Sequence, residues 1–246
     1  MGRLADGTLQ HPLIQPAPDA LLLDAMGTLV RLDQPVDRLA EGLRSAGWTG
    51  PAASVEPALR AEIRFYRRSL MTGRDGPSLD RLRDDAAREL AAHLPSPPPH
   101  DVLRPLLLDA LRIVPYPDAR RLLVRCRAGG VPVVVVSNWD VGLAAQLDTC
   151  GLGPLVAGVV TSAAVGVEKP HPGIFRAALA RLPASRRERV LHCGDDPERD
   201  RFGARALGLA AALIDRRGAY PGMPDRVASL DELADRCGLP PINSSA

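Results

Sequence analysis

The sequence predicts an α/β protein whose core is a doubly wound, mainly parallel sheet, with a helical cap domain inserted into it. Three observations predict this fold. Five short apolar runs have the length of strands and are bounded by polar or turn-forming residues. Segments with helical periodicity alternate with the later runs. A long helical stretch, residues 34–112, separates the first run from the second.

The five runs are the predicted strands of the core: Ala20–Leu23, Val131–Val136, Val156–Val160, Arg189–Cys193 and Leu209–Ile214. Residues 133–136 are all valine, which is typical of a central strand that is buried on both faces. Right-handed crossovers between parallel strands place helices on both faces of the sheet, in a Rossmann-like arrangement. Ligands of such sheets bind beyond the carboxyl ends of the strands.

The insert is predicted to be a helical cap over that end of the sheet. Apolar residues recur there at helical spacing: Leu59, Ile63, Tyr66 and Leu70, then Leu79, Leu82, Ala86 and Leu90. The prolines within 95–99 require a connecting loop. The predicted organisation is an N-terminal extension (1–19), a core (20–33 and 113–237), the cap (34–112) and a C-terminal tail (238–246).

Composition excludes several function classes. The net charge of +2 is too small to indicate nucleic-acid binding. The longest apolar runs are too short to cross a membrane. The four cysteines form no CxxC pair, which favours reduced thiols and a cytoplasmic location. Composition thus indicates neither a nucleic-acid partner nor a membrane partner.

Polar residues follow four of the predicted strands and should meet at one edge of the sheet. Asp24 follows the first strand, and a carboxylate there suits a nucleophile or a metal ligand. The alternative is that Asp24 only caps a turn. Ser137 and Asn138 follow the second strand and could donate hydrogen bonds to an anionic oxygen. The alternative is that Ser137 only ends the strand while Asp140 caps a helix that starts at Val141.

Lys169 is the one lysine among 31 cationic residues. Arginine is a planar fork that suits paired contacts, whereas lysine is a compact point charge on a flexible stem. A chain that uses arginine elsewhere is predicted to need an ammonium at this position. The alternative is an accident of composition.

Asp195, Asp196 and Asp200 follow the fourth strand and would join Asp24 at the same edge. Ionised carboxylates that lie this close repel one another, and a divalent cation resolves the repulsion. Oxygen-only ligands favour Mg²⁺. The alternative for Asp196 and Asp200 is that they cap a helix over residues 201–209.

These clusters together resemble the haloacid dehalogenase-like hydrolase superfamily, in the subfamily that carries a C1-type helical cap. The resemblance rests on four segments in order: residues 22–29, 136–138, 168–170 and 193–196 with Asp200. It implies that Asp24 attacks phosphorus and forms an aspartyl-phosphate, which water then hydrolyses. It also implies the following roles: Thr28, Ser137, Asn138 and Lys169 bind the transferring group, and Asp24, Asp195 and the backbone carbonyl of Met26 hold Mg²⁺, with Asp196 and Asp200 as further candidate ligands.

Met26 departs from the family pattern. Phosphatases of the superfamily carry a second Asp at this position as general acid and base, and a thioether cannot transfer a proton. Three functions therefore stay open: a Mg²⁺-dependent phosphatase with an impaired proton-transfer step, a catalytically silent binding protein, and a dehalogenase-type hydrolase. Four cap arginines are candidate contacts for an anionic substrate or members of a solvated helix face: Arg60, Arg64, Arg67 and Arg68.

Overall fold

The computed structural model describes residue 13 and residues 17–187 and 189–241. Its strands, in chain order, are β1 Ala20–Leu23, β2 Val30–Leu32, β3 Ile113–Pro115, β4 Val133–Ser137, β5 Gly158–Thr161, β6 Val190–Gly194, β7 Ala210–Ile214 and β8 Arg226–Val227. Its helices are α1 Pro35–Ser45, α2 Val55–Ser69, α3 Gly76–Ala92, α4 His100–Ala110, α5 Ala119–Ala128, α6 Leu143–Thr149, α7 Ser162–Val165, α8 Pro172–Ala180, α9 Gly203–Arg205 and α10 Leu230–Arg236.

Six strands form one parallel sheet in the order β5-β4-β1-β6-β7-β8. The predicted fold class is confirmed: the first predicted strand is present with its predicted ends, and the ends of the other four differ by at most two residues. Strand β1 lies between β4 and β6, with Leu22 opposite both Val134 and His192. Because all six strands run in the same direction, the residues that follow β1, β4 and β6 meet at one edge.

Both faces of the sheet are covered, as expected for a parallel sheet. Leu21 and Leu23 point into an apolar cluster that includes residues of α5 and α10. Leu22, which points the other way, packs in a second cluster with Ile174 and Phe175 of α8. Burial on both faces explains why the strands read as continuous apolar runs.

The cap consists of α1 to α4, within the predicted insert, and has an apolar cluster of its own that includes Leu39, Leu59, Leu90 and Leu103. The strand β2 enters the cap before α1, and the strand β3 leaves it after α4. These two strands form an antiparallel pair, with Arg31 opposite Val114. This pair is missing from the predicted strands because each of its strands has only three residues.

Two further details differ from the sequence predictions. Leu239 is buried in the core, and Arg125 donates hydrogen bonds to the carbonyls of Leu239 and Pro240, so the packed core extends past residue 237. The helix predicted over 201–209 is instead a π-helical turn, Pro197–Phe202, followed by the short α9. Residues 1–12, 14–16 and 242–246 of the predicted extension and tail lie outside the described residues.

Among the described helices, none combines the length and the apolar character needed to span a bilayer.

Candidate active site

Asp24 lies at the centre of the edge where the strands end. It follows β1, is only 5% exposed, and its backbone N–H donates to the carbonyl of Cys193 at 2.9 Å. Its Oδ1 accepts hydrogen bonds from Ser137 Oγ at 2.9 Å and from Lys169 Nζ at 2.6 Å. Both partners bind the same oxygen, so Oδ2 is the oxygen of Asp24 that stays available for a reaction.

Lys169 bridges two buried carboxylates. Its Nζ contacts Asp24 Oδ1 and, at 2.5 Å, Asp200 Oδ1. Burial alone would lower the pKa of Lys169, but the charges of Asp200 and Asp24 and the hydrogen bonds to them raise that pKa above its ordinary value. The ammonium is therefore charged at neutral pH.

Asp200 has more hydrogen-bond partners than Asp24. His192 Nε2 lies 3.0 Å from Asp200 Oδ1, and the backbone N–H of Asp196 donates to Oδ2 at 3.1 Å. Burial raises the pKa of Asp200, yet Lys169 and then His192 outweigh it and hold that pKa well below its usual range. Burial also raises the pKa of Asp24, with Lys169 as the main opposing influence. The ammonium of Lys169 thus binds both carboxylates, and Asp200 has further contacts with His192 and the backbone N–H of Asp196.

Asn138 differs from its predicted role. Its Nδ2 donates to the backbone carbonyl of Lys169 at 3.1 Å, and its Oδ1 accepts from the backbone N–H of Lys169 at 2.7 Å. Both functional groups of the amide are engaged with the loop that carries the lysine. In this arrangement the side chain of Asn138 positions Lys169.

Thr28 also differs from its predicted role as a substrate contact. The side chain is fully buried, its hydroxyl has no hydrogen-bond partner within the described chain, and it does not line the site cavity. From this position it cannot contact a substrate. The family resemblance implied its role because Thr28 belongs to the first matching segment, residues 22–29.

The turn after Asp24 lets Asp195, which follows β6, lie close to Asp24. Gly27 has φ +81°, and a Cβ at this position would lie 2.1 Å from Asp195 Oδ2. Glycine is therefore required both for the left-handed backbone and for the approach of Asp195. The prediction of a tight turn beside a ligand site agrees with this geometry.

Arg216 stabilises this turn and was missed by the sequence reasoning. Its guanidinium donates to the carbonyls of Gly27 at 3.3 Å and Thr28 at 2.8 Å. The same group makes paired hydrogen bonds to Asp118 and lies 3.8 Å from the centre of the Tyr116 ring. Only the chemistry of arginine satisfies carbonyls, a carboxylate and a ring face together. The sequence around Arg216 carries no signal of this role.

The carboxylates of Asp24, Asp195 and Asp200 form a cluster that fits a divalent cation. One oxygen from each lies within 4.8 Å of the others. Burial, followed by the charges of Asp24 and Asp200, raises the pKa of Asp195 to about 7. A cation between these oxygens would relieve the repulsion, and an all-oxygen donor set is what Mg²⁺ prefers.

Asp196 is not placed as a ligand. Its Oδ1 accepts from the backbone N–H groups of Glu198 and Arg199, both at 2.9 Å, which is the capping role weighed as the alternative for this residue. Asp200 is not a helix cap, because its side chain turns inward to Lys169 and His192. Both oxygens of Asp200 are engaged, Oδ1 by Lys169 and His192 and Oδ2 by the backbone N–H of Asp196, so Asp195 and Asp24 are the stronger candidate ligands.

A cavity of about 760 Å³ lies between this edge and the cap. Asp24, Met26 and Lys169 line its core end, and residues of α2, α3 and α4 line its cap end. Tyr66 of α2 donates a hydrogen bond from its hydroxyl to Asp140 Oδ2 at 2.7 Å across the two parts. Asp140 Oδ1 also accepts from the backbone N–H of Gly142, but α6 begins at Leu143 with Gly142 as its N-cap and no side-chain cap, so the helix-cap alternative for Asp140 is wrong.

The sequence matches the family described as haloacid dehalogenase-like hydrolase over residues 18–208. The chain belongs to this family. The match spans β1 to β6 and helices α1 to α4, and it confirms the resemblance predicted from the four motifs.

Relatives of this hydrolase include named phosphatases. The chain is 34% identical over 156 residues to a ribulose-1,5-bisphosphate 5-phosphatase from Halopiger xanaduensis, and the match covers 61% of each protein. It is 30% identical over 243 residues to a phosphoserine phosphatase from Thermus thermophilus, which covers 87% of the chain and 96% of the relative. The chain thus spans less than two thirds of the first of these enzymes and nearly all of the second.

The fold is shared with dehalogenases of the family. An L-2-haloacid dehalogenase from Xanthobacter autotrophicus, solved with chloropropionic acid covalently bound, superposes with a TM-score of 0.61 at 21% identity. The superposition covers 89% of this chain and 97% of that one. At this identity the likeness establishes the fold.

Proposed function

We propose that this protein is a Mg²⁺-dependent phosphatase that hydrolyses small-molecule phosphate monoesters through an aspartyl-phosphate on Asp24. The observation that carries the proposal is the buried arrangement around Asp24, in which Ser137 and Lys169 bind one carboxylate oxygen and leave the other available. Phosphatases among the relatives support the choice of phosphate as the transferred group.

Asp24 acts as the nucleophile in this proposal. Its Oδ2 forms a bond to phosphorus while the bond from phosphorus to the leaving oxygen breaks, and the electron pair departs with that oxygen. Water then attacks phosphorus, releases inorganic phosphate and restores the carboxylate of Asp24. Two displacements replace one difficult step, as is usual for covalent catalysis.

Lys169 and Ser137 orient Asp24 and supply positive charge and a hydrogen bond beside the oxygens of the transferring phosphate. Asp24, Asp195 and the backbone carbonyl of Met26 would hold Mg²⁺, with Asp200 as a further candidate. The ion would neutralise negative charge on the phosphate. Asn138 contributes indirectly, by fixing the backbone of Lys169.

Met26 limits this chemistry. Its side chain is half-buried and lines the cavity beside Asp24, where a thioether cannot protonate a departing alkoxide. The protein should therefore favour substrates whose leaving groups are weak bases, such as aryl and acyl phosphates. Met26 is also the observation that favours the second candidate, a catalytically silent binding protein of the same fold.

A panel of aryl, acyl and alkyl phosphates, assayed with Mg²⁺ and with a chelator, separates the candidates. Turnover that requires Mg²⁺ supports the phosphatase. Phosphate binding without any turnover supports the silent protein. Release of halide from a 2-haloacid in the presence of chelator would instead identify a dehalogenase. The cytoplasmic location inferred from the cysteines stays a prediction.

A further inference from the structure

The cap end of the cavity contains an ionisable group that the proposed mechanism does not use. Glu62 of α2 lines the cavity and is 0% exposed. Neither of its carboxylate oxygens has a hydrogen-bond partner in the described part of the chain. A buried carboxyl without partners destabilises a fold, and natural proteins seldom leave one unpaired. Its place in a cavity wall indicates that a ligand supplies the missing partner.

The groups around Glu62 determine whether its carboxyl is protonated when a ligand binds. Leu82 and Ala86 of α3 and Leu107 of α4 line the same end of the cavity and are apolar. Burial, followed by the charge of Glu89 on α3, raises the pKa of Glu62 to about 8. At neutral pH the group is a carboxylic acid, which donates one hydrogen bond and accepts others.

The charges at the cap end of the cavity argue against a cationic ligand there, whereas the carboxylates of Asp24, Asp195 and Asp200 line its core end. Arg67 of α2 and Arg83 of α3 line the cavity, and neither has an ion-pair partner among the described residues. Arg112, beyond the end of α4, also lines it and approaches Asp109 only at 3.9 Å. By contrast, Tyr66, which lies one turn from Glu62, already donates its hydroxyl to Asp140.

We propose that Glu62 is a specificity-determining residue that binds a hydroxyl group on the leaving group of the substrate. A hydroxyl both donates and accepts, so it can satisfy the donor and an acceptor of the carboxylic acid together. The guanidinium groups on the cavity wall disfavour a leaving group with an amine and tolerate one that is neutral or anionic. The inference rests on the proposed phosphatase function and names its substrate class: hydroxylated small-molecule phosphates.

The test uses phenyl phosphates that carry a hydroxymethyl, an ethyl or an aminomethyl group at the same ring position, in meta and para series. These leaving groups need little acid assistance, so Met26 does not limit the comparison. In the wild type, kcat/KM for the best hydroxymethyl compound should exceed that of its ethyl counterpart by roughly 10- to 100-fold, the effect of one buried hydrogen bond.

Two variants locate this preference at Glu62. In Glu62→Leu the hydroxymethyl-to-ethyl ratio should fall to about 1, whereas Glu62→Gln should retain part of it, because an amide still donates and accepts. Glu89→Gln is the matched control: Glu89 affects the charge of Glu62 but does not line the cavity, so the ratio should be unchanged. A merely structural role for Glu62 would lower both rates and leave their ratio intact.

The inference and the proposed function can fail separately. If unsubstituted phenyl phosphate is hydrolysed and Glu62→Leu keeps the wild-type ratio, the phosphatase stands and the inference is overturned. A wild-type preference for the aminomethyl compound also overturns it. If phenyl phosphate is not hydrolysed, the proposed function fails, and the same ratio is taken from dissociation constants measured by calorimetry.

Discussion

Glu62 should make the stability of this protein fall as pH rises, and Glu62→Gln should remove much of that fall. The side chain is fully buried, and the pKa of its carboxyl is raised from an ordinary 4.5 to about 8, chiefly by burial. Glutamine has the same shape and is neutral at every pH. The substitution therefore removes the titration while it preserves the volume of the side chain.

The magnitude follows from proton linkage. Between pH 4.5 and pH 7 the unfolded chain has released this proton while the folded chain retains it, and each pH unit of that difference costs about 1.36 kcal/mol. The raised pKa thus destabilises the fold by roughly 3 kcal/mol at pH 7. The penalty is absent below pH 4.5, grows with pH, and becomes constant above the folded pKa of about 8.

Urea unfolding, followed by circular dichroism across this pH range, measures the effect. The free energies of unfolding of wild type and Glu62→Gln should diverge progressively, with the variant more stable by roughly 3 kcal/mol at pH 7 relative to the difference near pH 4.5. Glu89→Gln should change the profile much less, because Glu89 only adds to the shift that burial causes. Parallel profiles for wild type and Glu62→Gln would show that Glu62 is ionised, and therefore paired, in the folded protein.

Three further predictions concern the reaction and one concerns the metal. Asp24→Asn should lower turnover of phenyl phosphate by more than ~10³-fold, with an unchanged circular dichroism spectrum, because it removes the nucleophile; turnover close to wild type would refute that role. Lys169→Arg should lower kcat by at least ~10²-fold although the charge is kept, because a planar guanidinium cannot occupy the small space between Asp24 and Asp200. Equal rates would make the lone lysine a compositional accident. Met26→Asp should raise alkyl phosphate hydrolysis by up to ~10²-fold and leave aryl phosphates little changed, and an already flat plot of log rate against leaving-group pKa in the wild type would contradict this. Asp195→Asn should weaken Mg²⁺ binding measured by calorimetry without substrate, whereas Asp196→Asn, which alters only a capping residue, should not.

Much of the core could be predicted because its signals are local. A run of valines that is buried on both faces has few alternatives to a central parallel strand, and β4 is found where that run predicts it. The direction of the strands then brings Asp24, Ser137 and Asp195 to one edge without any further information. The lone lysine was informative for a chemical reason, since its ammonium contacts two carboxylates at once.

Side-chain direction at the site could not be predicted in the same way. Asn138 and Thr28 lie next to residues of the site in the sequence, yet one binds the backbone of Lys169 and the other is buried beneath the turn. Neighbouring residues at the end of a strand point in different directions, and the sequence does not record which neighbour satisfies each polar group. Arg216 illustrates the converse, because it acts on a turn 188 residues away in the sequence.

The sequence by itself determined the parallel core and the family of this protein, because apolar periodicity and strand-end motifs are properties of short segments. Only the tertiary structure decided which oxygen of Asp24 is available, which carboxylates approach one another, and that Glu62 faces the cavity without a partner. These features depend on burial and on contacts between distant segments. Burial and long-range pairing set the charge and the reactivity of a side chain, and both exist only after the chain has folded.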